Sequence, residues 1–293
     1  MDRGAAFDDT MNHIDGSNDM RILHEDLGRL GTLLLIAGVA ACASGGTPEA
    51  AAPAPEPAPA PAVEAAAPAL PAAADLYDRM IELMGGRAAF EAYTSSKATG
   101  TFSMPSQGIE GSLEVYGAAP NLLLVIVDIP GIGTVRQGYN GEVGWTLNPM
   151  VGPMVLEGNM LNQMRQQADF FGPLNQEEYI ASVETLEITD FDGRPCYKVQ
   201  VTTVWDEEYF DFIDVETGLG AGSIRSQESP MGAMESTSVI SDYRDFGGIL
   251  TPTSIVQTTM GQDQVLTIES VEFDMVDESV FELPNEIKTM VGG

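Results

Sequence analysis

From Lys97 to Phe273 the sequence runs as short stretches of alternating apolar and polar residues separated by turn dipeptides, a rhythm that few helical folds tolerate. A period of two turns one side of each stretch toward a core and the other toward water, as in a half-covered β-strand. Residues 108–116 place Ile109, Leu113 and Val115 on one side and Ser112, Glu114 and Tyr116 on the other. Residues 97–104 put Phe102 and Met104 together, whereas 121–128 (NLLLVIVD) is apolar on both sides and predicts a strand covered on both faces. Asn140-Gly141, between 134–139 and 142–147, and Asp192-Gly193, between 185–189 and 196–204, are two-residue hairpin signals. Residues 208–215, 222–227, 237–243, 253–259 and 264–273 extend the series. The expectation is a mainly β (α+β) domain of about ten strands in near-sequential antiparallel order, a meander that curls around something instead of forming a two-sheet sandwich.

Helical spacing interrupts the strands twice. Leu76, Met80, Leu83 and Met84 form one apolar face, with Asp75 as its expected cap, and Gly85-Gly86 stops it. A short helical stretch follows over 87–93. Between Gly158 and Ser182, the residues Met160, Leu161, Met164, Ala168 and Phe171 mark a second helix.

The front of the chain has a different character. Residues 31–41 (GTLLLIAGVAA) are too short an apolar run to span a bilayer comfortably and have the form of a signal-peptide core. The run ends in Val39-Ala40-Ala41-Cys42, which resembles the lipobox of bacterial lipoproteins and implies lipid on the Cys42 sulfur after cleavage of 1–41. The segment before the apolar run is long and acidic where a positive one is expected, and Met20 opens a better-proportioned start. Ala43 after the cysteine implies sorting to the outer membrane, on its periplasmic face. From Cys42 to residue 74 the chain is mostly Ala, Pro and Glu, an extended tether whose prolines block a helix. Residues 75–293 form the β domain.

Forty-four acidic residues against 13 basic ones give a formal charge of −31, which repels nucleic acid and excludes it as a partner. Both histidines, His13 and His24, precede Cys42, so the mature chain has no His for a Ser-His-Asp or Cys-His nucleophile or for the usual zinc sites. Acidic clusters at Asp206-Glu207-Glu208 and 274–278 lack the EF-hand pattern, and the glycine-rich stretches lack a phosphate-loop context. No enzyme, metal or cofactor is expected. With Cys42 lipidated, Cys196 has no disulfide partner within the molecule and reads as a buried strand residue, with a reactive thiol between Arg194 and Lys198 as the alternative.

Four local patterns resemble the outer-membrane lipoprotein carriers, the LolA/LolB-like superfamily. They are Tyr209-Phe210-Asp211 leading to the turn 214–219; Tyr243 through Gly247-Gly248 to Pro252; the closing segment Val280-Phe281-Glu282-Leu283-Pro284; and Gly85-Gly86 with the strand of Ala98-Thr99-Gly100. The resemblance covers roughly 75–284. It implies an unclosed antiparallel half-barrel with helices as a lid and an apolar cavity for acyl chains of a lipid or lipoprotein. Unbranched methionines suit a site that repacks around variable ligands. Met150, Met154, Met160 and Met164, facing Phe102, Leu113, Leu124, Trp145 and Leu147, are therefore the expected cavity lining, against the alternative of ordinary core filling. Met231 and Met234 form a second methionine pair in a loop. Arg136 and Arg165 are candidates by position for the carriers' gating arginine. The loop 129–133, with Ile129 and Ile132, is either a membrane-facing loop or a hairpin with its isoleucines packed inward. The function implied is a membrane-anchored binder of acyl chains; the alternatives are an envelope sensor or interaction protein on a filled scaffold, with a protein partner, and an unrecognised hydrolase.

Overall fold

A computed structural model describes residues 69–227 and 234–292. The signal segment 1–41, Cys42, the tether as far as 68, and Met231 lie outside the described residues. The order of elements is α1 (Ala73–Leu83), α2 (Gly86–Phe90), β1 (Ser95–Met104), β2 (Ile109–Ala118), β3 (Leu122–Ile129), β4 (Gly133–Asn140), β5 (Gly144–Asn148), β6 (Gly152–Val155), α3 (Gly158–Ala168), α4 (Gln176–Tyr179), β7 (Ile180–Phe191), β8 (Arg194–Thr203), β9 (Glu208–Asp214), β10 (Gly220–Gln227), β11 (Met234–Ile240), β12 (Tyr243–Phe246), β13 (Ile249–Pro252), β14 (Ser254–Thr259), β15 (Gln262–Phe273) and α5 (Asn285–Val291). Thirteen strands form one antiparallel sheet in the order β6-β5-β4-β3-β2-β1-β15-β14-β11-β10-β9-β8-β7, and β12 and β13 pair separately as a hairpin. The sheet therefore holds thirteen strands where about ten were expected. The four-residue β6, with Pro153 inside it, carries too few residues for its alternation to register. The first helix also begins earlier than expected, at Ala73, with Ala72 at its cap position, so Asp75 sits in its first turn instead of capping it.

The sheet curls. Met154 on β6 and Tyr209 on β9 are ten strand spacings apart, about 48 Å if flat, yet both line one cavity. At the middle of the sheet the register of β1 against β15 slips between Thr99 and Gly100, a β-bulge that bends the strand. A Cβ on Gly100 would lie 1.8 Å from the Thr267 carbonyl oxygen, so this close approach needs glycine.

Each face has its own covers. On the concave side α1 packs Ala73, Leu76 and Tyr77 onto Val199, Val201, Tyr209 and Ile213. Farther along the same side α3 packs Met164 and Ala168 onto Tyr139 and Leu156, with Leu123 beside them. On the convex side Phe281 and Ile287 of the C-terminal segment cover Ala118, Leu124 and Trp145. Strand β3 is thus buried from both sides, Leu123 beneath α3 and Leu124 beneath the C-terminal segment, as its doubly apolar sequence requires. Toward the other edge, Phe191 stacks on Phe212 at 3.9 Å and encloses Cys196.

Candidate ligand cavity

The concave face and α3 line a half-open cavity of about 830 Å³. Its lining divides into two chemistries. Leu113 and Val115 on β2, Val125 on β3, Met154 on β6, Ile240 on β11, Ile255 on β14 and Leu266 and Ile268 on β15 supply an apolar wall, with Met234 at the far end of β11, and Met160 and Met164 of α3 form the roof. The other wall is polar. Residues directly opposite on paired antiparallel strands share a face, and across β9, β10, β11, β14 and β15 the aligned positions read Asp211, Ser223, Ser238, Gln257 and Gln264. The next row reads Tyr209, Arg225, Ser236, Thr259 and Gln262, and of the two rows Ser223, Ser238, Gln257, Tyr209, Arg225 and Ser236 line the cavity. Gln163, Gln166 and Gln167 of α3 face the same space.

The charges in this wall are tied to one another. Arg225 lies 3.3 Å from the Asp211 carboxylate and 3.7 Å above the Tyr209 ring centre. Tyr77 of α1 donates its hydroxyl to the other Asp211 oxygen at 2.8 Å. Burial, reinforced by the Asp211 charge, drives the Tyr77 phenol far above its ordinary range and raises that of Tyr209 as well. Glu207 lines the cavity rim, accepting from the Trp205 indole at 3.0 Å and from Gln163 of α3. Gln163 also reaches the Ser226 carbonyl at 3.3 Å, so α3 is fastened to the far wall.

The structure separates the residues singled out from the sequence. Leu113, Met154, Met160 and Met164 meet at the cavity. Phe102 is aligned with Leu266 and so shares the concave face, buried at 9% exposure outside the cavity lining. Leu124, Trp145 and Leu147 stand on the convex face, packed with the C-terminal segment. The expectation that they line the cavity is corrected by strand parity: they alternate with Val125 and Thr146, which do line it. Met150, at the β5–β6 turn, is 80% exposed. Ile129 is buried at the end of β3 while Ile132, in the following turn, is exposed, so the loop divides between the two readings. Pro149 packs near Gly133, which sets the exposed Met150 and Val151 beside that turn.

Neither candidate arginine lines the cavity. Arg136 lies 5.8 Å over the Trp145 ring on the convex face, its buried Nε without a hydrogen-bond partner, and Arg165 is an exposed residue in the last turn of α3. Arg225, which does line it, was legible only through its alternation with Ile224 against Ser223. Cys196 is fully buried, and burial pushes its thiol up to about 11, which leaves little thiolate at neutral pH. Among the described residues, no group of three or more metal-ligating side chains comes together.

No family model and no curated protein matches the chain. Among solved structures it is similar to a DUF1329 family protein from Desulfovibrio piger, with 14% identity, a TM-score of 0.50, and coverage of 71% of this chain and 95% of that one. It is also similar to a LolA superfamily protein from Nitrosomonas europaea, with 16% identity, a TM-score of 0.45, and coverage of 70% and 97% respectively. At this identity the likeness to the Desulfovibrio piger protein is one of fold alone.

Proposed function

We propose that this protein, held at the periplasmic face of the outer membrane by lipid on Cys42, binds acyl chains of a lipid or lipoprotein in the cavity beneath α3. The observation that carries this reading is the cavity itself. Its volume of about 830 Å³ falls in the range of small-molecule sites, roughly 300–1,000 Å³. The wall of Leu113, Val115, Val125, Leu266 and Ile268 offers an acyl chain up to about 0.8 kcal/mol per buried methylene. Met160 and Met164 supply the adaptable roof. In this reading the protein binds and releases and makes no bonds. Ile132, Met150 and Val151 are exposed apolar residues, and in this reading they are the ones turned to the membrane.

Native mass spectrometry of the purified protein tests the binding reading. Expected are adducts with the masses of acyl lipids; a protein that carries no lipid and binds no fluorescent fatty acid is no carrier. For the anchor, Cys42→Ser should abolish palmitate labelling and release the chain from membranes. If parent and variant fractionate alike and neither takes up palmitate, the anchor is wrong.

A second reading, an interaction protein on the same scaffold, is favoured by β7. This twelve-residue strand ends the sheet and leaves Leu186 and Ile188 exposed, an edge to which an extended segment of an envelope partner can add.

A further inference from the structure

The polar wall has no use for an acyl chain. Buried hydroxyls and amides beside a hydrocarbon tail would lose water without gaining a partner, at a cost of roughly 1–3 kcal/mol each. An all-apolar concave face would be the better acyl site, and β2, β3 and β15 show that this chain can build one. Over the middle of β10, β11 and β14 it builds a hydrogen-bonding surface instead, between Met234 at one end and Ile240 and Ile255 at the other. Ser236 is already engaged by Gln257 at 2.9 Å and Thr259 at 3.0 Å. Ser223 and Ser238, aligned with each other across β10 and β11 and both lining the cavity, have no side-chain hydrogen bond among the described residues.

The charge of the wall selects among polar ligands. Its cation, Arg225, is neutralised by Asp211 at 3.3 Å and covered on one face by the Tyr209 ring. Glu207 adds a carboxylate at the rim. An anionic head would meet that carboxylate and an arginine already occupied. Serine hydroxyls and glutamine amides both donate and accept, which matches a ligand group that does the same: a cluster of hydroxyls. Extending the acyl-cavity reading, on which this rests, we infer that the ligand is an amphiphile with an uncharged, polyhydroxylated head. The tail lies against Leu113, Val125 and Leu266, and the head lies against Ser223 and Ser238.

The test keeps the tail constant and changes the head. The full chain carrying Cys42→Ser, which has no lipid of its own to compete, is loaded with a fluorescent fatty acid. Dodecyl maltoside, dodecylphosphocholine and dodecyl sulfate, each below its micellar concentration, then compete for the cavity. Dodecyl maltoside should displace the probe at a concentration about tenfold lower than dodecyl sulfate, as expected for two or so added hydrogen bonds. Replacing Ser223 and Ser238 together by valine should close that gap and leave dodecyl sulfate unchanged. Equal displacement by all three overturns head recognition while the acyl cavity stands, and so does a preference for the sulfate or the phosphocholine. If the parent chain binds neither the probe nor any of the three, the cavity reading fails and this inference falls with it. The comparison of heads on the parent chain decides the matter even if the double variant does not fold.

Discussion

Asp211 on β9 receives Tyr77 of α1 on one carboxylate oxygen and Arg225 of β10 on the other, at 2.8 and 3.3 Å. One side chain thus fastens a covering helix to the sheet and sets the charge of a cavity wall. Asp211→Asn keeps the shape, removes the charge and leaves Arg225 uncompensated. The expected outcome is a loss of about 1–3 kcal/mol in urea unfolding, together with tighter binding of dodecyl sulfate than the parent shows. Unchanged sulfate affinity would mean that Arg225 does not set the charge of the site.

The methionines of α3 separate by burial. Met164 is 6% exposed and packs into the core, whereas Met160 is only partly buried at the cavity roof. Met164→Gln buries an amide and should cost about 1–3 kcal/mol. Met160→Gln should leave the unfolding midpoint within a few degrees yet weaken binding of a fluorescent fatty acid. If Met160→Gln loses stability and binding in step, Met160 is core filling.

Ile287 of α5 is fully buried against the convex face, on the opposite side of the sheet from the cavity. Ile287→Ala should cost about 2–5 kcal/mol. The molecules that remain folded should bind the probe with parental affinity. A fall in affinity per folded molecule would show that the convex cover shapes the cavity.

Acid should loosen the domain below about pH 4. Asp242 is held below the ordinary carboxylate range first by the Thr253 hydroxyl, Asp274 by the Thr94 backbone amide and Asp277 by Ser279. A carboxylate whose value falls on folding stabilises at and above its unfolded value, about 3.9. That contribution is lost as the pH falls through the lower folded value. Asp274→Ala should therefore trail the parent in urea midpoint at pH 7 and approach it at pH 3. A gap as wide at pH 3 as at pH 7 would place the effect elsewhere than in the ionised carboxylate.

The strands were legible wherever one face meets water, because alternation then marks parity. Residues 108–116 and 264–273 announced themselves in this way. Parity does not say which face is concave, and this is why Trp145 and Leu147 were assigned to the cavity side: a bulky apolar residue looks the same beneath a lid helix and beneath α5. The resemblance motifs were legible for a different reason. Tyr243 donates to the Gly220 carbonyl at 2.7 Å, and Tyr93 donates to that of Gly247 at 2.8 Å. Gly85, at φ 123°, lies so close to the Gly248 carbonyl oxygen that a Cβ there would approach within 2.3 Å. Motifs far apart in sequence touch at these points, so they report the architecture and say little about the ligand. The polar wall was hidden because Ser236, Ser238 and Gln257 read as the solvent side of ordinary strands.

Strands β6 and β7 end the sheet without pairing to each other. In a closed barrel, strand number and shear fix the diameter. An open arc has no such constraint, and its radius can shift through small changes of twist shared among twelve strand ladders, none of which has to break. The volume beneath α3 then follows the curvature of the arc, which no closing strand pair fixes.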